Sequence, residues 1–425
     1  MRDALLLGLD VGGLKSTVVL GDRFGNILSR QEFPTTGPEQ TIDRMLRAAK
    51  VMSLGLPSSP GDSPPAAPPA IPGPKNGNAD TRHSVTSHPK ASPHSTGSGQ
   101  AYSTGSEQVP STSVITTSSG QAYSTSSGQA QASYAMPVAC GIACGGPLNS
   151  VDGMILSPPN LPGWDFVPIV KHVTEDLKIA ARLENDANAG ALAEWRWGLG
   201  QRIDDLVFLT CGTGQGAGIV LDGRLHRGRQ DLAGEIGHVR LLPLGPVGYH
   251  KAGSVEGLTS TRALGELAKL RLQENHQASV LDKAPFHSID GWAVADAALA
   301  GDHFATSVVK ESACYMGRTC AILIDLLNPQ RISLGGLALH LGKTYVDEVR
   351  RCAREEALSA AFDACDIDAA ALGARSKDLA ALAVASLAAD EAAGRQTLAA
   401  ERARDFVDAL DVGIDFDNMP GVSTG

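Results

Sequence analysis

The residue types best suited to chemistry are crowded into the segment Leu183–Ala189, where Asp186 lies between Asn185 and Asn188. A sugar hydroxyl is a poor nucleophile at neutral pH. A carboxylate within hydrogen-bond reach can orient it and accept its proton while a phosphoryl group is transferred. Asn185 could hydrogen-bond to neighbouring hydroxyls. The alternative is that these residues cap a helix, and one of the three could be only a cap.

Two glycine-rich turns accompany this segment. In the first, Asp10-Val-Gly-Gly-Leu-Lys15, the pair Gly12-Gly13 lets backbone amides approach a phosphate because no Cβ intervenes. Asp10 stands at the end of a predicted strand and could hold Mg²⁺. A plain β-hairpin with an aspartate at its corner is the alternative.

The second turn is Gly212-Thr-Gly-Gln-Gly-Ala-Gly218, in which glycines alternate with other residues. Such alternation suits a backbone that curls around an anion, and the hydroxyl of Thr213 could face a phosphate. The alternative is a glycine-rich sheet edge. Gly335-Gly336 follows a short predicted strand and could allow close approach of an adenine and ribose, or only tight strand–helix packing.

Three further polar residues follow the second turn. Glu235 and His238 are three positions apart, and Glu256 comes later. Carboxylates and an imidazole suit contacts with vicinal hydroxyls. The alternative for a lone histidine is a satisfied core or surface residue. Together with the two turns, these groups indicate phosphoryl transfer to a sugar.

Composition limits the possible partners. The formal net charge of −10 and the pI of about 5.6 give no electrostatic help in binding nucleic acid or an anionic membrane. Seven scattered cysteines without a CxxC pair are typical of a reduced compartment, where they act mostly as small apolar residues. Because the chain opens directly into a strand-like run, without a signal peptide or an apolar span, we expect a soluble, cytoplasmic protein.

The pattern of elements predicts an α/β fold. A strand–glycine turn–strand unit occurs near Asp10 and again near Gly212, so we expect two related α/β domains that face a cleft. Other predicted elements include a helix at Thr41–Met52, strands at Ile179–Leu183 and Arg331–Leu334, and a helix at Lys377–Glu391.

A segment from about Pro57 to Ser133 interrupts this pattern. It is rich in Pro, Ser, Thr, Gly and Gln, and Ser98-Gly-Gln-Ala-Tyr-Ser-Thr104 recurs as Ser119-Gly-Gln-Ala-Tyr-Ser-Thr125. Its few large apolar residues could not offset the entropy of ordering it. We therefore predict a disordered insertion, which the host fold tolerates because loop-closure cost rises slowly with length.

The chain resembles the ROK family of bacterial sugar kinases and sugar-responsive repressors, within the hexokinase–actin–Hsp70 superfamily. The resemblance covers nearly the whole chain apart from the insertion and the last thirty or so residues. The matching segments are Gly8-Leu-Asp-Val-Gly-Gly-Leu-Lys15, Pro159-Asn-Leu-Pro-Gly-Trp164, Glu184-Asn-Asp-Ala-Asn-Ala189, Gly212-Thr-Gly214, Gly234-Glu-Ile-Gly-His238, Leu326-Leu-Asn-Pro329 and Gly335-Gly336.

This resemblance implies two RNase H-like domains with the sugar and ATP in the cleft between them. It implies that Asp186 is the catalytic base. The implied sugar contacts are Gly146, Asn160, Asn185, Glu235, His238 and Glu256. The implied contacts to ATP and Mg²⁺ are Asp10, Gly12, Gly13, Lys15, Gly212, Thr213, Gly214, Gly335 and Gly336, with Asp10 the candidate Mg²⁺ ligand.

The implied domain limits are 1–56 and 136–189 for the N-terminal domain, 57–135 for the insertion and 190–375 for the larger C-terminal domain. A helix at 376–395 returns to the N-terminal domain, and 396–425 is a tail. Family repressors carry a helix-turn-helix ahead of the first glycine turn, which here begins at residue 10. Since the acidic charge agrees, we expect no nucleic-acid partner, and the same charge argues against a membrane partner. The family's habit implies a homodimer or a dimer of dimers.

Two positions depart from the family pattern. The family's three zinc-binding cysteines align with Val247, Tyr249 and Ser254, so we expect no structural zinc. The residue after the first glycine pair is usually Thr or Ser but here is Leu14, with Ser16 or Thr17 the nearest hydroxyls. We expect ATP-dependent phosphorylation of a hexose or N-acetylhexosamine. The alternatives are a catalytically weak or inactive sugar sensor and a phosphoryl donor other than ATP, such as polyphosphate.

Overall fold

The computed structural model of the 425-residue chain describes residues 4–54, 136–274 and 278–394. The predicted disordered insertion at 57–135 and the tail at 396–425 lie outside these ranges. All of the described residues belong to one structural unit.

Fourteen strands run through the described part of the chain. In order they are β1 Leu5–Val11, β2 Lys15–Asp22, β3 Ile27–Pro34, β4 Ala139–Cys144, β5 Leu148–Asn149, β6 Met154–Ile155, β7 Ala180–Asn185, β8 Leu206–Leu209, β9 Ala217–Leu221, β10 Arg224–Leu225, β11 Val247–Gly248, β12 Lys251–Ala252, β13 Arg331–Leu334 and β14 Asp366–Ala369.

Eleven α-helices accompany them within the same ranges. They are α1 Pro38–Ser53, α2 Ile169–Leu177, α3 Asp186–Trp197, α4 Val255–Thr259, α5 Thr261–Glu274, α6 Gly291–Leu299, α7 His303–Leu327, α8 Leu337–Leu341, α9 Lys343–Glu356, α10 Ser359–Asp363 and α11 Ser376–Ala392. Among the residues described, no helix combines the length and the apolarity needed to cross a membrane.

The strands form two large sheets of the same design. The first has the order β3-β2-β1-β4-β7 and the second the order β10-β9-β8-β13-β14. In each sheet two neighbouring strands are antiparallel, β1 with β2 in the first and β8 with β9 in the second. On its other side β1 is followed by the parallel strands β4 and β7, and β8 by the parallel strands β13 and β14. The predicted repetition of a strand–glycine turn–strand unit is thus confirmed, since β1–β2 and β8–β9 occupy equivalent places.

Side chains that alternate along the strands build a separate core on each face of the first sheet. On one face, Leu7 and Leu9 pack with α1 and α2, for example with Met45 and Ile169. On the other face, Leu6 packs with α3 and α11. The alternation has the period of two that strand geometry requires.

Helix α11 lies unusually close to the first sheet because glycines face it. A Cβ at Gly141 would lie 2.1 Å from the amide nitrogen of Ala385, and one at Gly8 would lie 2.9 Å from the Cβ of Ala381. The C-terminal end of α11 reaches the start of the sheet, where Asp390 pairs with Arg23 in the β2–β3 turn. The first turn of α11 therefore lies toward the end of β1 that carries Asp10.

Helix α3 joins the two sheets. Its Leu192 and Ala193 belong to the core with α11, whereas Ala191 and Trp195 pack with Phe208 of the second sheet. A Cβ at Gly218 would lie 2.1 Å from the carbonyl oxygen of Ala187, so β9 runs directly against this helix. The other face of the second sheet packs against α5, α6, α7 and α9.

The cysteines differ partly from the prediction. Five are buried and free, namely Cys140, Cys144, Cys211, Cys320 and Cys365, and these behave as small apolar residues. Cys314 and Cys352 form a disulfide between α7 and α9, a pairing that the sequence did not indicate.

Candidate active site

Three parallel strands of the first sheet end at the same edge. Val11 is paired with Cys144 and Cys144 with Asn185, so the ends of β1, β4 and β7 are in register. Asp10 and Asp186 therefore lie on either side of the turn that follows β4. In open α/β sheets, ligands bind at the carboxyl ends of parallel strands.

Asn185, Asp186 and Asn188 at the start of α3 make different contacts. Asn185 caps the helix, since its Oδ1 accepts a hydrogen bond from the Ala187 amide at 2.8 Å. Asn188 is buried and donates to Glu184 Oε2 at 3.2 Å. The side chain of Asp186 is exposed to solvent and accepts from the Ala187 amide at 2.8 Å. Of the three, Asp186 presents its side chain to solvent at the edge of the sheet.

Gly146 lies beside the cap. A Cβ at Gly146 would be 3.3 Å from Nδ2 of Asn185, whereas a Cβ at the preceding Gly145 would meet nothing within 4 Å. The Gly146–Pro147 peptide bond is cis. The two predicted sugar contacts Gly146 and Asn185 are thus neighbours.

The charges at this edge interact. Burial raises the pKa of Asp10 to about 7, Lys377 opposes the rise and Asp186 adds to it. Desolvation by the surrounding protein also raises the pKa of Asp186; Lys377 opposes this and Glu235 adds to it. Because water reaches the Asp186 carboxylate, solvent screening limits the size of its rise.

Lys377 is a site residue that the sequence analysis missed. It lies in the first turn of α11, its side chain is exposed, and its charge acts on both Asp10 and Asp186. The only signal in the sequence was a lysine at the start of a predicted helix.

The first glycine turn is closed by backbone and hydroxyl contacts. The Gly12 amide donates to the Lys15 carbonyl at 3.2 Å. The Thr35 hydroxyl donates to the Gly12 carbonyl at 2.6 Å and shares a hydrogen bond with the buried Ser16 hydroxyl. Thr35 was not predicted. Asn160 packs on this turn, since a Cβ at Gly13 would lie 2.5 Å from its carbonyl oxygen.

Two side chains of the first turn point to solvent. Leu14 is 88% exposed. Lys15 Nζ donates to Glu32 at 2.7 Å, and this bond, with a second from Arg30, lowers the pKa of Glu32 to about 2. Lys15 is thus paired with the neighbouring strand β3. Ser16 and Thr17 are both buried, so neither presents an exposed hydroxyl beside Leu14.

The second glycine turn contacts the glycine pair after β13. The Thr210 hydroxyl accepts from the Gly216 amide at 3.0 Å, which closes the turn, and Thr213 and Gly214 are exposed. The Leu337 amide donates to the Cys211 carbonyl at 2.9 Å. Gly336 has a φ of 43°, and a Cβ there would lie 2.1 Å from the same carbonyl. A side chain is therefore excluded at Gly336.

The remaining predicted sugar contacts surround this second turn. Glu256 Oε2 accepts from the Gln215 amide at 3.2 Å. A Cβ at Gly237 would lie 2.2 Å from the Gln215 carbonyl and 3.4 Å from the Glu256 Cβ. Glu235 and His238 flank that glycine, and Glu235 acts electrostatically on Asp186.

The predicted site residues fall into two groups in the structure. The first contains Asp10, Gly12, Gly13, Lys15, Gly146, Asn160, Asn185 and Asp186. The second contains Gly212, Thr213, Gly214, Glu235, His238, Glu256, Gly335 and Gly336. The negative charge of Glu235, in the second group, raises the pKa of Asp186, in the first. Within the described ranges, no hydrogen bond joins the first glycine turn to the second.

The three positions that align with the family's zinc-binding cysteines are Val247, Tyr249 and Ser254. Val247 and Tyr249 belong to the β11–β12 hairpin, and Ser254 caps α4 by accepting from the Gly257 amide at 3.1 Å. Among the residues described, the only three side chains with metal-ligand spacing are Cys314, Glu348 and Cys352, and there the two sulfurs are bonded to each other.

Comparison with known proteins gives matches that agree with this architecture. A glucokinase from Halalkalibacterium halodurans is 31% identical over 239 residues, which are 56% of this chain and 72% of that protein. A xylose repressor from Caldicellulosiruptor bescii is 29% identical over 245 residues, or 57% of this chain and 61% of the repressor.

A solved structure extends the likeness to nearly the whole fold. It is a ROK family glucokinase from Streptomyces griseus in complex with glucose and AMPPNP, with a TM-score of 0.62 and 25% identity. The match covers 90% of this chain and 100% of that one. The expected actin-like ATPase/hexokinase fold is therefore confirmed. The ROK family model matches residues 108–389. This chain belongs to the ROK family.

Proposed function

We propose that this protein is an ATP-dependent kinase that phosphorylates a hexose or N-acetylhexosamine. The observation that carries the proposal is the exposed carboxylate of Asp186 at the edge where β1, β4 and β7 end. The similarity to the Halalkalibacterium glucokinase and to the Streptomyces structure bound to glucose and AMPPNP supports it.

In this proposal Asp186 is the general base. Its Oδ1 is already oriented by the Ala187 amide. The raised pKa of Asp186 brings the carboxylate closer to the pH at which it must accept a proton, which favours general base catalysis. Asn185 and Gly146 would then line the place of the sugar hydroxyls beside it, with Glu235, His238 and Glu256 on the other side.

The phosphoryl donor would be held by the two glycine turns. The exposed Thr213 and Gly214 suit contacts with phosphates, and the close packing of Gly336 on the Cys211 carbonyl keeps a side chain out of the place where the nucleoside would lie. Bound ATP supplies the phosphoryl group and Mg²⁺ neutralises charge on its oxygens.

Asp10 fits the role of Mg²⁺ ligand. Its carboxyl has a pKa raised to about 7 by burial and by the nearby charge of Asp186, so a divalent cation would stabilise the ionised form. Carboxylate oxygens are the ligands that Mg²⁺ takes in proteins. Asp10 would hold the ion.

A second candidate is a sugar-binding sensor with little or no catalysis. Leu14, which is 88% exposed, stands where the family pattern has a hydroxyl, and neither Ser16 nor Thr17 presents an exposed hydroxyl beside it. The similarity to a xylose repressor also favours this alternative. The acidic charge argues against nucleic acid as a partner of the chain.

One experiment separates the two candidates. The purified protein is incubated with Mg²⁺·ATP and a panel of hexoses and N-acetylhexosamines, while ADP and sugar phosphate are measured together. The affinity for each sugar is measured by calorimetry. Equal amounts of ADP and sugar phosphate with one sugar support the kinase. Tight binding of a sugar without either product supports the sensor. Polyphosphate in place of ATP tests the alternative phosphoryl donor.

A further inference from the structure

The hairpin β11–β12 has a strained turn. Residues 247–252 form two short antiparallel strands joined by Tyr249 and His250, whose φ angles are 40° and 66°. Two positive φ values in a two-residue turn are the mark of type I′ geometry, in which glycine and asparagine are favoured. Larger side chains in this region of φ are disfavoured. When strain of this kind persists, it is often associated with function.

The strained turn places a ring against a predicted sugar ligand. The Tyr249 ring lies edge-on to the His238 imidazole, with centroids 5.0 Å apart and an interplanar angle of 87°. This is the geometry that the charge distribution of aromatic rings favours. Lys251, two residues along the hairpin, donates from Nζ to the His238 carbonyl oxygen at 2.7 Å. The hairpin therefore contacts both the ring and the backbone of His238.

The same hairpin packs on a second predicted sugar ligand. A Cβ at Gly248 would lie 2.8 Å from the Glu256 Cβ and 2.4 Å from the Gly257 amide nitrogen. Ser254 donates to the Gly248 carbonyl at 3.4 Å and accepts from the Gly257 amide. The hairpin thus fixes the first turn of α4, which carries Glu256, and holds His238 at the same time.

We propose that Tyr249 is a positioning residue that holds the His238 imidazole, so that His238 and Glu256 act together on neighbouring hydroxyls of the sugar. Lys251 holds the His238 backbone through its hydrogen bond to the His238 carbonyl oxygen. The proposal rests on the proposed function, because it assumes that His238 contacts the sugar. Tyr249 itself is about half exposed and need not touch the ligand.

The test is a double-mutant cycle on sugar affinity. The variants are Tyr249→Ala, His238→Ala and the double variant, with the hexose dissociation constant measured by calorimetry for the most tightly bound hexose of the panel. Tyr249→Ala is expected to weaken binding by about 3- to 10-fold. In the His238→Ala background the same change is expected to have no further effect. An equal loss in both backgrounds would overturn the proposal.

Two further variants guard against a general loss of structure. Tyr249→Phe keeps the ring and is expected to bind the hexose with the wild-type affinity. Val247→Ala shortens an exposed side chain of the same hairpin and is expected to bind the hexose normally. A loss in Val247→Ala equal to that in Tyr249→Ala would contradict a specific role for Tyr249.

A spectroscopic measurement keeps this proposal separable from the proposed function. The His238 ring signals are recorded by NMR in the sugar-free protein and assigned by their absence in His238→Ala. Tyr249→Ala is expected to shift them and Tyr249→Phe to leave them nearly unchanged. If the wild-type protein binds no sugar, the proposed function fails. Unchanged His238 signals in Tyr249→Ala overturn the positioning role, whatever the sugar result.

Discussion

Asp10 and Asp186 lie at the ends of two parallel strands that are separated by a single strand, and the charge of Asp186 raises the pKa of Asp10. Two strand spacings place their backbones about 10 Å apart. The end of β4 lies between them. Glu235 acts on Asp186 from the second group, and Lys377 acts on both carboxylates.

Gly146→Ala is expected to weaken sugar binding. The new Cβ would lie 3.3 Å from Nδ2 of Asn185, tighter than an ordinary contact, so the Asn185 side chain must move. We expect the sugar KM to rise by about 10-fold, on the order of one lost polar contact. Gly145→Ala is the matched control, because its Cβ would meet nothing within 4 Å. Equal effects of the two variants would show that Gly146 has no special relation to the sugar.

Lys377→Met is expected to slow phosphoryl transfer. The ammonium opposes the rise in the pKa of Asp186, so its removal leaves less of the base ionised and moves the acidic limb of the kcat–pH profile to higher pH. We also expect kcat at pH 7 to fall on the order of 10-fold, because a cation that acts on both carboxylates of the site is lost. Lys377→Arg should retain most of the activity.

Arg375→Met is the control for that variant, since Arg375 is an exposed cation two residues earlier and is not among the main charges that shift the pKa of either carboxylate. A profile for Lys377→Met that matches the wild-type profile would remove Lys377 from the site.

Asp10→Asn is expected to stabilise the Mg²⁺-free protein at neutral pH. The folded-state pKa of Asp10 is about 7, above the ordinary 3.8, so the folded protein binds more protons than the unfolded chain between these values. Stability therefore falls as pH rises through this window, and the loss is complete above pH 7. The substitution removes a cost of up to about 4 kcal/mol at pH 8 and none near pH 3.

Chemical unfolding of both proteins across that pH range, with a chelator present, measures this difference. A gap that stays constant with pH would mean that Asp10 titrates normally in the folded state.

The sequence predicted the site best where the chemistry coincides with a local pattern. Asp186 was expected just after a strand, and β7 ends at Asn185 with α3 starting at Asp186. Both glycine turns were expected between strands, as observed. The helix expected at Lys377–Glu391 is α11, Ser376–Ala392. These features depend on residues close together in the chain.

Features that depend on distant residues escaped prediction. The role of Lys377 follows from the packing of α11 along β1, which no local pattern reveals. Strand β14, Asp366–Ala369, has two aspartates in four residues and a poor strand signal, yet it pairs with β13 while Arg331 and Arg350 bind those aspartates. The Cys314–Cys352 bond joins residues 38 positions apart.

Asp186→Asn tests most directly whether Asp186 is the base of a sugar kinase. The measurement is hexose-dependent ADP formation alongside the calorimetric hexose affinity, with the exposed Asp282→Asn as the control. We predict that Asp186→Asn loses about 10²- to 10⁴-fold in kcat, since a positioned base is removed, while its amide still binds the hydroxyl and the affinity changes little. Turnover near the wild-type rate in Asp186→Asn, with an unchanged sugar affinity, would contradict the assignment.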